Sequence, residues 1–390
     1  MDFRLTGDQA MLQDAMRRMV ATEIAPRMKN SPADKPLSKA TMLEIYAALA
    51  NFGLTAPRLP ASVGGGEMRM LDYGLAFEQL PPVIAISLIS HECTIARIHA
   101  ESQSEMTSSL LPELIAGRKI CCTGSSEPNA GSDPRGIATR VAFDDQGCVV
   151  NGSKLWITNG TISDVMIATC VSEQEASGRR TMHRVLFERD KHPYQASEIP
   201  VLGLKQGHLS EVVINDCRLP RENVLGAGGD AARILQRTWE GNRPLIGLTA
   251  VHMAQKALDA AIAYASERVQ FGERIAQKQL IQERIADIAT AIEASRLLCY
   301  RALALIDEGQ TSAAAAAMAK RYATTECAEA IHLAMGIHGA MGVAEETGLE
   351  QLYRDVRMLP IPDGTNEILT LIIGRELTGF NAIRPFAKMG

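Results

Sequence analysis

The residues best suited to chemistry lie in four short stretches. Asp363 is followed by Gly364, Thr365, Asn366 and Glu367. A carboxylate can remove a proton from carbon when a dry pocket raises its pKa and the proton lies within hydrogen-bond reach. Trp239-Glu240-Gly241-Asn242-Arg243-Pro244 sets an acid and a cation three residues apart, the spacing of a local ion pair. Ser125, Ser126, Gly131 and Ser132 form a loop after a strand-like run; such loops offer backbone N–H groups to anions or carbonyls, and an ordinary polar turn capped by Asp133 is the alternative. Trp156 beside Thr158 offers a flat wall next to a hydroxyl, although a lone strand tryptophan is more often core. The histidines show no metal spacing, and no metal is expected.

The elements that position these groups fall into three zones. The chain has 390 residues, 46% hydrophobic and 22% charged, enough for a large core and two or three domains. A net charge of −5 argues against nucleic acid as the main partner. No apolar run approaches the roughly 20 residues of a membrane span, and the start lacks a signal or transit pattern. Eight scattered cysteines without a C-x-x-C pair, two of them adjacent at Cys121 and Cys122, fit a reducing cytoplasm.

Up to about residue 117 the pattern is helical. Thr6-Gly7-Asp8-Gln9 has the form of a capping box, followed by Met11, Leu12, Ala15, Met16 and Met19 on one face. Helices follow at about 39–52, 71–89 and 91–116, with Gly64-Gly65-Gly66 as a plain loop. From about 118 to 228 the period changes to strands, with Asn151-Gly152 read as a hairpin turn and no intervening helix, which favours an antiparallel sheet or barrel. From about 230 the chain is helical and Ala-rich, with Ile281, Ile285, Ile288 and Ile292 on one stripe, as in an antiparallel bundle.

Four strings, in order along nearly the whole chain, resemble the acyl-CoA dehydrogenase family. Ser126-Glu127-Pro128-Asn129-Ala130-Gly131-Ser132-Asp133 is similar to T-E-P-x-A-G-S-D. Asn151 to Gly160 is similar to N-G-x-K-x-W-I-T-N-G. Arg268-Val269-Gln270-Phe271-Gly272 with Gln279 resembles R-x-x-F-G with a downstream Gln. Tyr353-Arg354-Asp355 with Asp363-Gly364-Thr365-Asn366-Glu367 resembles Y-R-D followed by E-G-T-x-E. The resemblance implies an α+β chain: an N-terminal helical domain over 1–117, a central antiparallel β-barrel over 118–228 and a C-terminal four-helix bundle over 229–390. It also implies FAD, an acyl-CoA substrate, an electron-transferring flavoprotein as acceptor, and a homotetramer.

By the same resemblance Thr123, Ser125, Ser126, Gly131, Ser132, Trp156 and Thr158 contact the flavin, and Ser132 also faces the CoA arm. Arg268, Phe271 and Gln279 contact the pyrophosphate and adenine of FAD on a neighbouring subunit. Gly336, Gly339, Ala340, Thr365 and Glu367 serve the adenosine side. Glu240, Arg243, Gly364 and, with them, Arg375 hold substrate. Asp363 stands where the family has its catalytic Glu, and Asn242 stands at the second location known for the base. Asp reaches about 1.3–1.5 Å less far, a loss worth on the order of 100-fold if uncompensated. Asp bases in the family go with some ring-bearing substrates, so a short, branched or cyclic acyl group is expected.

Two departures stand out. Gly336-Ile337-His338-Gly339-Ala340 replaces Q-x-x-G-G, removing a side chain at Gly336, and Asn129 replaces a common Gly. The competing readings are a flavin monooxygenase or non-oxidative lyase on the same fold, and a non-catalytic protein with vestigial FAD; a retained carboxylate at Asp363 and an intact Trp156-Ile157-Thr158 speak against them.

Overall fold

The computed structural model describes residues 4–102, 104–173, 180–226, 231–310 and 312–382; the junction expected at 228–229 lies outside them. The chain forms two compact units. One contains Met1–Tyr73, Val83–Val201 and Lys205–Thr238, the other Gly74–Pro82, Leu202–Leu204 and Trp239–Gly390.

The N-terminal helices are α1 (Gly7–Met19), α2 (Ala25–Lys29), α3 (Lys39–Ala50), α4 (Met70–Phe77), α5 (Pro82–Glu101) and α6 (Glu105–Ile115). The capping box forms: Gln9 N–H donates to Thr6 Oγ1 at 3.2 Å and Thr6 N–H to Gln9 Oε1 at 3.1 Å. Met16 and Met19 are buried, but Met11 is exposed, so the apolar face is narrower than its spacing suggests. The break between α4 and α5 falls at residues 78–81, ahead of the expected position near 90. Pro81 disfavours helix for the residue before it, and Pro82 suits a first helical position. By length and composition α5 could cross a membrane, but 72% of that stretch is buried.

The middle sheet has strands β1 (Cys121–Gly124), β2 (Arg140–Asp144), β3 (Gly147–Thr158), β4 (Val165–Glu173), β5 (Arg180–Glu188), β6 (Gln195–Glu198), β7 (Leu209–Leu219) and β8 (Val224–Leu225). It runs β6-β7-β3-β2-β4-β5-β8, with β1 beside β4. Two expectations are corrected. The path ends at β6 and β8, so the sheet is no closed barrel; and it is mixed, because β1 and β2 both run parallel to β4. A missing intervening helix does not force antiparallel pairing, since the long segment between β1 and β4 lets the chain return in the same direction.

Alternation along each strand feeds two cores. Cys122, Met166 and Phe187 join one cluster, while Cys121, Ile167 and Leu186 join another with Ile95 and Ile98 of α5 and Leu110 and Leu114 of α6. Neighbouring Cys121 and Cys122 therefore belong to different cores, and all eight cysteines are free and buried.

The second unit holds α7 (Ala231–Glu267, from Trp239 on), a hairpin of β9 (Val269–Gln270) and β10 (Glu273–Arg274), then α8 (Gln279–Asp307), α9 (Ala313–His338), α10 (Leu349–Val356) and α11 (Asn366–Thr378). Small residues set its packing: a Cβ added at Gly247 would stand 2.6 Å from Cys299 Sγ and 3.3 Å from Ala323 Cβ, so α7 meets α8 and α9 with no room for a side chain there. Ile288 and Ile292 are buried, Ile281 and Ile285 half-buried, so the stripe read from spacing covers the core face of α8.

Candidate active site

The sheet half is built on two opposed bulges. Between the pairs Val150–Cys217 and Gly152–Ile214, β7 carries the extra residue; between Lys154–Val212 and Ile157–Ser210, β3 does. Asn151-Gly152 therefore lies inside a continuous strand, which corrects the turn reading. β3 has partners on both sides, and this overrides the local turn preference. Asn151 closes the first bulge, its Nδ2 donating to Asp216 Oδ1 at 2.9 Å and its Oδ1 accepting from Asp216 N–H at 2.7 Å. The second bulge puts Trp156 at φ +64 with 53% of its surface exposed. A large ring held outward in a conformation few non-glycine residues adopt is no core tryptophan.

Around it the loop residues are pinned. Glu127, inside the Ser126–Asp133 string, is buried against fully buried Lys154, with Nζ 2.7 Å from Glu127 Oε1. Glu127 also accepts from Thr139 N–H at 3.0 Å and Ala138 N–H at 2.6 Å. Leu155 N–H donates to Ser126 O at 2.9 Å, and Ser125 Oγ lies 3.2 Å from Thr169 Oγ1. Thr123 Oγ1 accepts from Arg97 Nη1 at 3.0 Å and lies 2.9 Å from Thr94 Oγ1. Gly131 and Ser132 are exposed, and Asp133 caps the next turn by accepting from Arg135 N–H at 3.1 Å. Past Thr158, buried Asn159 donates to Ser87 O at 2.9 Å and accepts from Ser87 Oγ at 2.6 Å, anchoring the strand end on α5.

The helical unit carries a second group of candidate residues. Asp363, half-buried, has φ +54, and Gly364 follows at φ +96. Asp363 O accepts from Arg243 Nε at 3.0 Å. Lys320 Nζ donates to Gly364 O at 2.7 Å and to Pro360 O at 3.1 Å. Arg243 is 3% exposed; burial pulls its guanidinium below the usual value, while the charges of Asp363 and Glu240 act the other way and Arg375 adds to the fall. The structure thus gathers Glu240, Arg243, Asp363, Gly364 and Arg375 around one loop. Glu240 is buried, Arg375 half-exposed and 3.2 Å from Glu376 Oε1.

Known proteins resemble the chain from end to end. Three family models match it: the acyl-CoA dehydrogenase N-terminal domain over 6–118, the middle domain over 122–217 and the C-terminal domain over 230–378. The chain belongs to the acyl-CoA dehydrogenase family. It is 32% identical to the cyclohex-1-ene-1-carbonyl-CoA dehydrogenase of Geobacter metallireducens over 96% of this chain and 98% of the relative. It is 30% identical to the CarC subunit of the caffeyl-CoA reductase-Etf complex of Acetobacterium woodii, over 86% of this chain and 89% of the relative. Among solved structures, the butyryl-CoA dehydrogenase of Megasphaera elsdenii superposes with a TM-score of 0.90 at 28% identity, covering 97% of this chain and all (100%) of that one.

This acyl-CoA dehydrogenase is a flavoprotein oxidoreductase acting on CH–CH groups, with FAD as its cofactor. The sheet half suits that group: an outward ring at Trp156 gives a flat wall, and Thr158 with the Ser125–Ser132 loop gives hydroxyl and amide donors. The remaining residues implied by the family lie elsewhere in the helical unit. Phe271 and Gly272, at φ +54 and +80, turn the β9–β10 hairpin and leave Phe271 96% exposed. Arg268 and Gln279, flanking the hairpin, are exposed. Gly339 (φ +59) ends α9, and Ala340 follows it, exposed. A Cβ at Gly336 would lie 3.2 Å from Arg284 Nη1, so Arg284 borders the place where the family carries Gln. Thr365 caps α11 by accepting from Ile368 N–H at 3.4 Å, and Glu367 is exposed in its first turn.

Sequence reasoning passed over Glu127, Lys154, Asn159 and Lys320 as functional. Lys154 carried a signal, a lysine two residues from Trp156 in a strand. Its partner is 27 positions away, beyond any local rule.

Proposed function

We propose that this enzyme desaturates a short, branched or cyclic acyl-CoA between its α and β carbons, with Asp363 as the base that takes the α proton. The observation that carries this reading is the Asp363 corner itself. Two consecutive residues stand at positive φ, and their carbonyls are held by Arg243 and Lys320. A trans peptide sends its N–H opposite its C=O, so the Gly364 N–H faces away from Arg243 and suits polarisation of a thioester carbonyl. Deprotonated Asp363 takes the proton as the α carbon becomes enolate-like. FAD, when bound, supplies the acceptor for hydride from the β carbon.

Glu240, Arg243 and Arg375 order the substrate in this reading, and Ser132 meets the CoA arm. Thr123, Ser125, Ser126, Gly131, Trp156 and Thr158 hold the flavin. Arg268, Phe271, Gln279, Gly336, Gly339, Ala340, Thr365 and Glu367 hold its adenosine end. A cyclic acid is favoured because Asp replaces Glu at 363 and because a relative 32% identical acts, by its name, on cyclohex-1-ene-1-carbonyl-CoA. We assign domains to 1–117, 118–228 and 229–390, with α7, α8, α9 and α11 as a four-helix bundle in the last. A homotetramer is supported by Phe271, a phenylalanine 96% exposed at a hairpin tip. The cytoplasm suits eight free cysteines. An electron-transferring flavoprotein as acceptor is supported by the relative that works in an Etf complex.

The test is anaerobic titration of the flavin-loaded protein with straight, branched and cyclic acyl-CoAs. Bleaching of the flavin by a branched or cyclic compound is expected, with none in Asp363→Ala. Reduction of Asp363→Ala at the wild-type rate removes Asp363 from the mechanism.

A further inference from the structure

We infer that Lys320 is a positioning residue whose buried ammonium clamps residues 360–364 and so sets where the Asp363 carboxylate stands and what charge it works beside. The inference rests on the reading of Asp363 as the base and extends it. Lys320 lies within α9 with 0% exposure. An amine taken wholly out of water is costly unless its donors are met. Here both acceptors come from one loop, Pro360 O at its entry and Gly364 O at its exit. Arg243 holds the carbonyl of the residue before that exit, Asp363 O. The loop itself lies outside any helix or strand: α10 has ended at Val356 and α11 starts at Asn366. A non-glycine residue at φ +54 persists only when its surroundings over-determine it, and these cations supply three fixed points within five residues.

The charges facing Lys320 come from each neighbouring segment: Asp363 from the loop, Glu367 from α11 and Arg243 from α7. Burial pulls the amine down to about 7, Arg243 adds to the fall, and Asp363 and Glu367 oppose it. Asp363 therefore sits near a cation that loses its charge as pH rises through neutrality.

The experiment compares wild-type holoenzyme with Lys320→Met, which loses donors and charge, and Lys320→Gln, which keeps two donors without charge. Two quantities are read: hydrogen exchange of the peptide covering 360–366, and the pH profile of flavin reduction by the saturated ring thioester cyclohexane-1-carbonyl-CoA. In Lys320→Met the exchange of that peptide accelerates while peptides of the sheet do not change. Flavin reduction slows about 10- to 100-fold, as for a displacement of about 1 Å, with KM for acyl-CoA nearly constant. The alkaline decline of the profile near pH 7 disappears, because the amine that titrates there is gone. Lys320→Gln recovers protection of the loop but keeps the altered profile, which a merely structural role would not produce. Unchanged exchange in both variants overturns the clamp, and a wild-type pH profile in Lys320→Gln overturns the charge role. If Lys320→Met does not fold, Lys320→Ala replaces it in the exchange measurement for the clamp, and Lys320→Gln decides the charge role. If no acyl-CoA reduces the wild-type flavin, the proposed function falls, and the exchange measurement alone settles the clamp.

Discussion

Around Trp156 the backbone is braced by the ladder of β3 to β7, with one buried ion pair beneath; around Asp363, in a loop outside any strand, it is braced by two side-chain cations. Both places hold a non-glycine residue at positive φ. In the sheet, a bulge interrupts pairing for one residue and the ladder resumes, so the unusual conformation is secured by many weak bonds. In the loop it depends on single side chains. The sheet half should therefore lose stability when its buried charges are disturbed, and the loop half should lose rate before stability.

Four perturbations sharpen or break this contrast. The largest effect belongs to Lys154→Met. It leaves the Glu127 carboxylate buried without its cation, a loss of about 3–5 kcal/mol on the scale of broken buried pairs, seen as a lower denaturant midpoint and a lower FAD content. Adding Glu127→Gln should return part of that loss. A Lys154→Met protein as stable as wild type would remove the ion pair from the account.

Acid comes next. Burial pulls His91 down to about 4; its Nδ1 accepts from Cys121 N–H at 3.1 Å and its Nε2 lies 3.1 Å from Leu114 O, the arrangement of a neutral ring. The unfolded chain takes up this proton near its ordinary pKa of about 6.5, whereas the folded chain resists until about 4. Stability from this group is complete above about pH 6.5 and is lost as pH falls towards 4, by roughly 3 kcal/mol. Urea midpoints at pH 7, 5.5 and 4.5 should fall in that order, with a shallower fall in His91→Asn.

Gly364→Ala tests the loop. At φ +96 an added Cβ costs about 1–2 kcal/mol locally. The rate of flavin reduction should drop by an order of magnitude or more, since about 1 Å of displacement costs up to 100-fold. The denaturant midpoint should move less than in Lys154→Met. The smallest stability change is expected for Trp156→Ala, under about 1 kcal/mol, because the ring is already 53% exposed. Its mark should instead be a shifted flavin spectrum and weaker FAD retention.

Much of the architecture was legible because its signals are periodic. The capping box at Thr6 and Gln9 and the stripe of Ile288 and Ile292 follow from local spacing. Strand direction was not legible, because β1 is aligned by β4, some 40 residues later. Asn151-Gly152 misled for the same reason: its neighbours on β2 and β7 outweigh its turn preference. Within the site, the residues bearing oxygen, ring or charge could be named from motifs. The braces could not, since Lys154 and Lys320 look like ordinary lysines until their partners, 27 and 44 positions away, fold against them.

The most direct test of the central claim is single-turnover flavin reduction under anaerobic conditions, comparing wild type with Asp363→Asn at saturating cyclohexane-1-carbonyl-CoA, a saturated ring thioester that carries an α proton. Asn keeps the shape of the side chain but accepts no proton. The account expects tight binding in both proteins and flavin reduction slower by at least about 1000-fold in the variant, the upper part of what a positioned base contributes. Equal rates in the two proteins would show that another group takes the proton and would contradict the account.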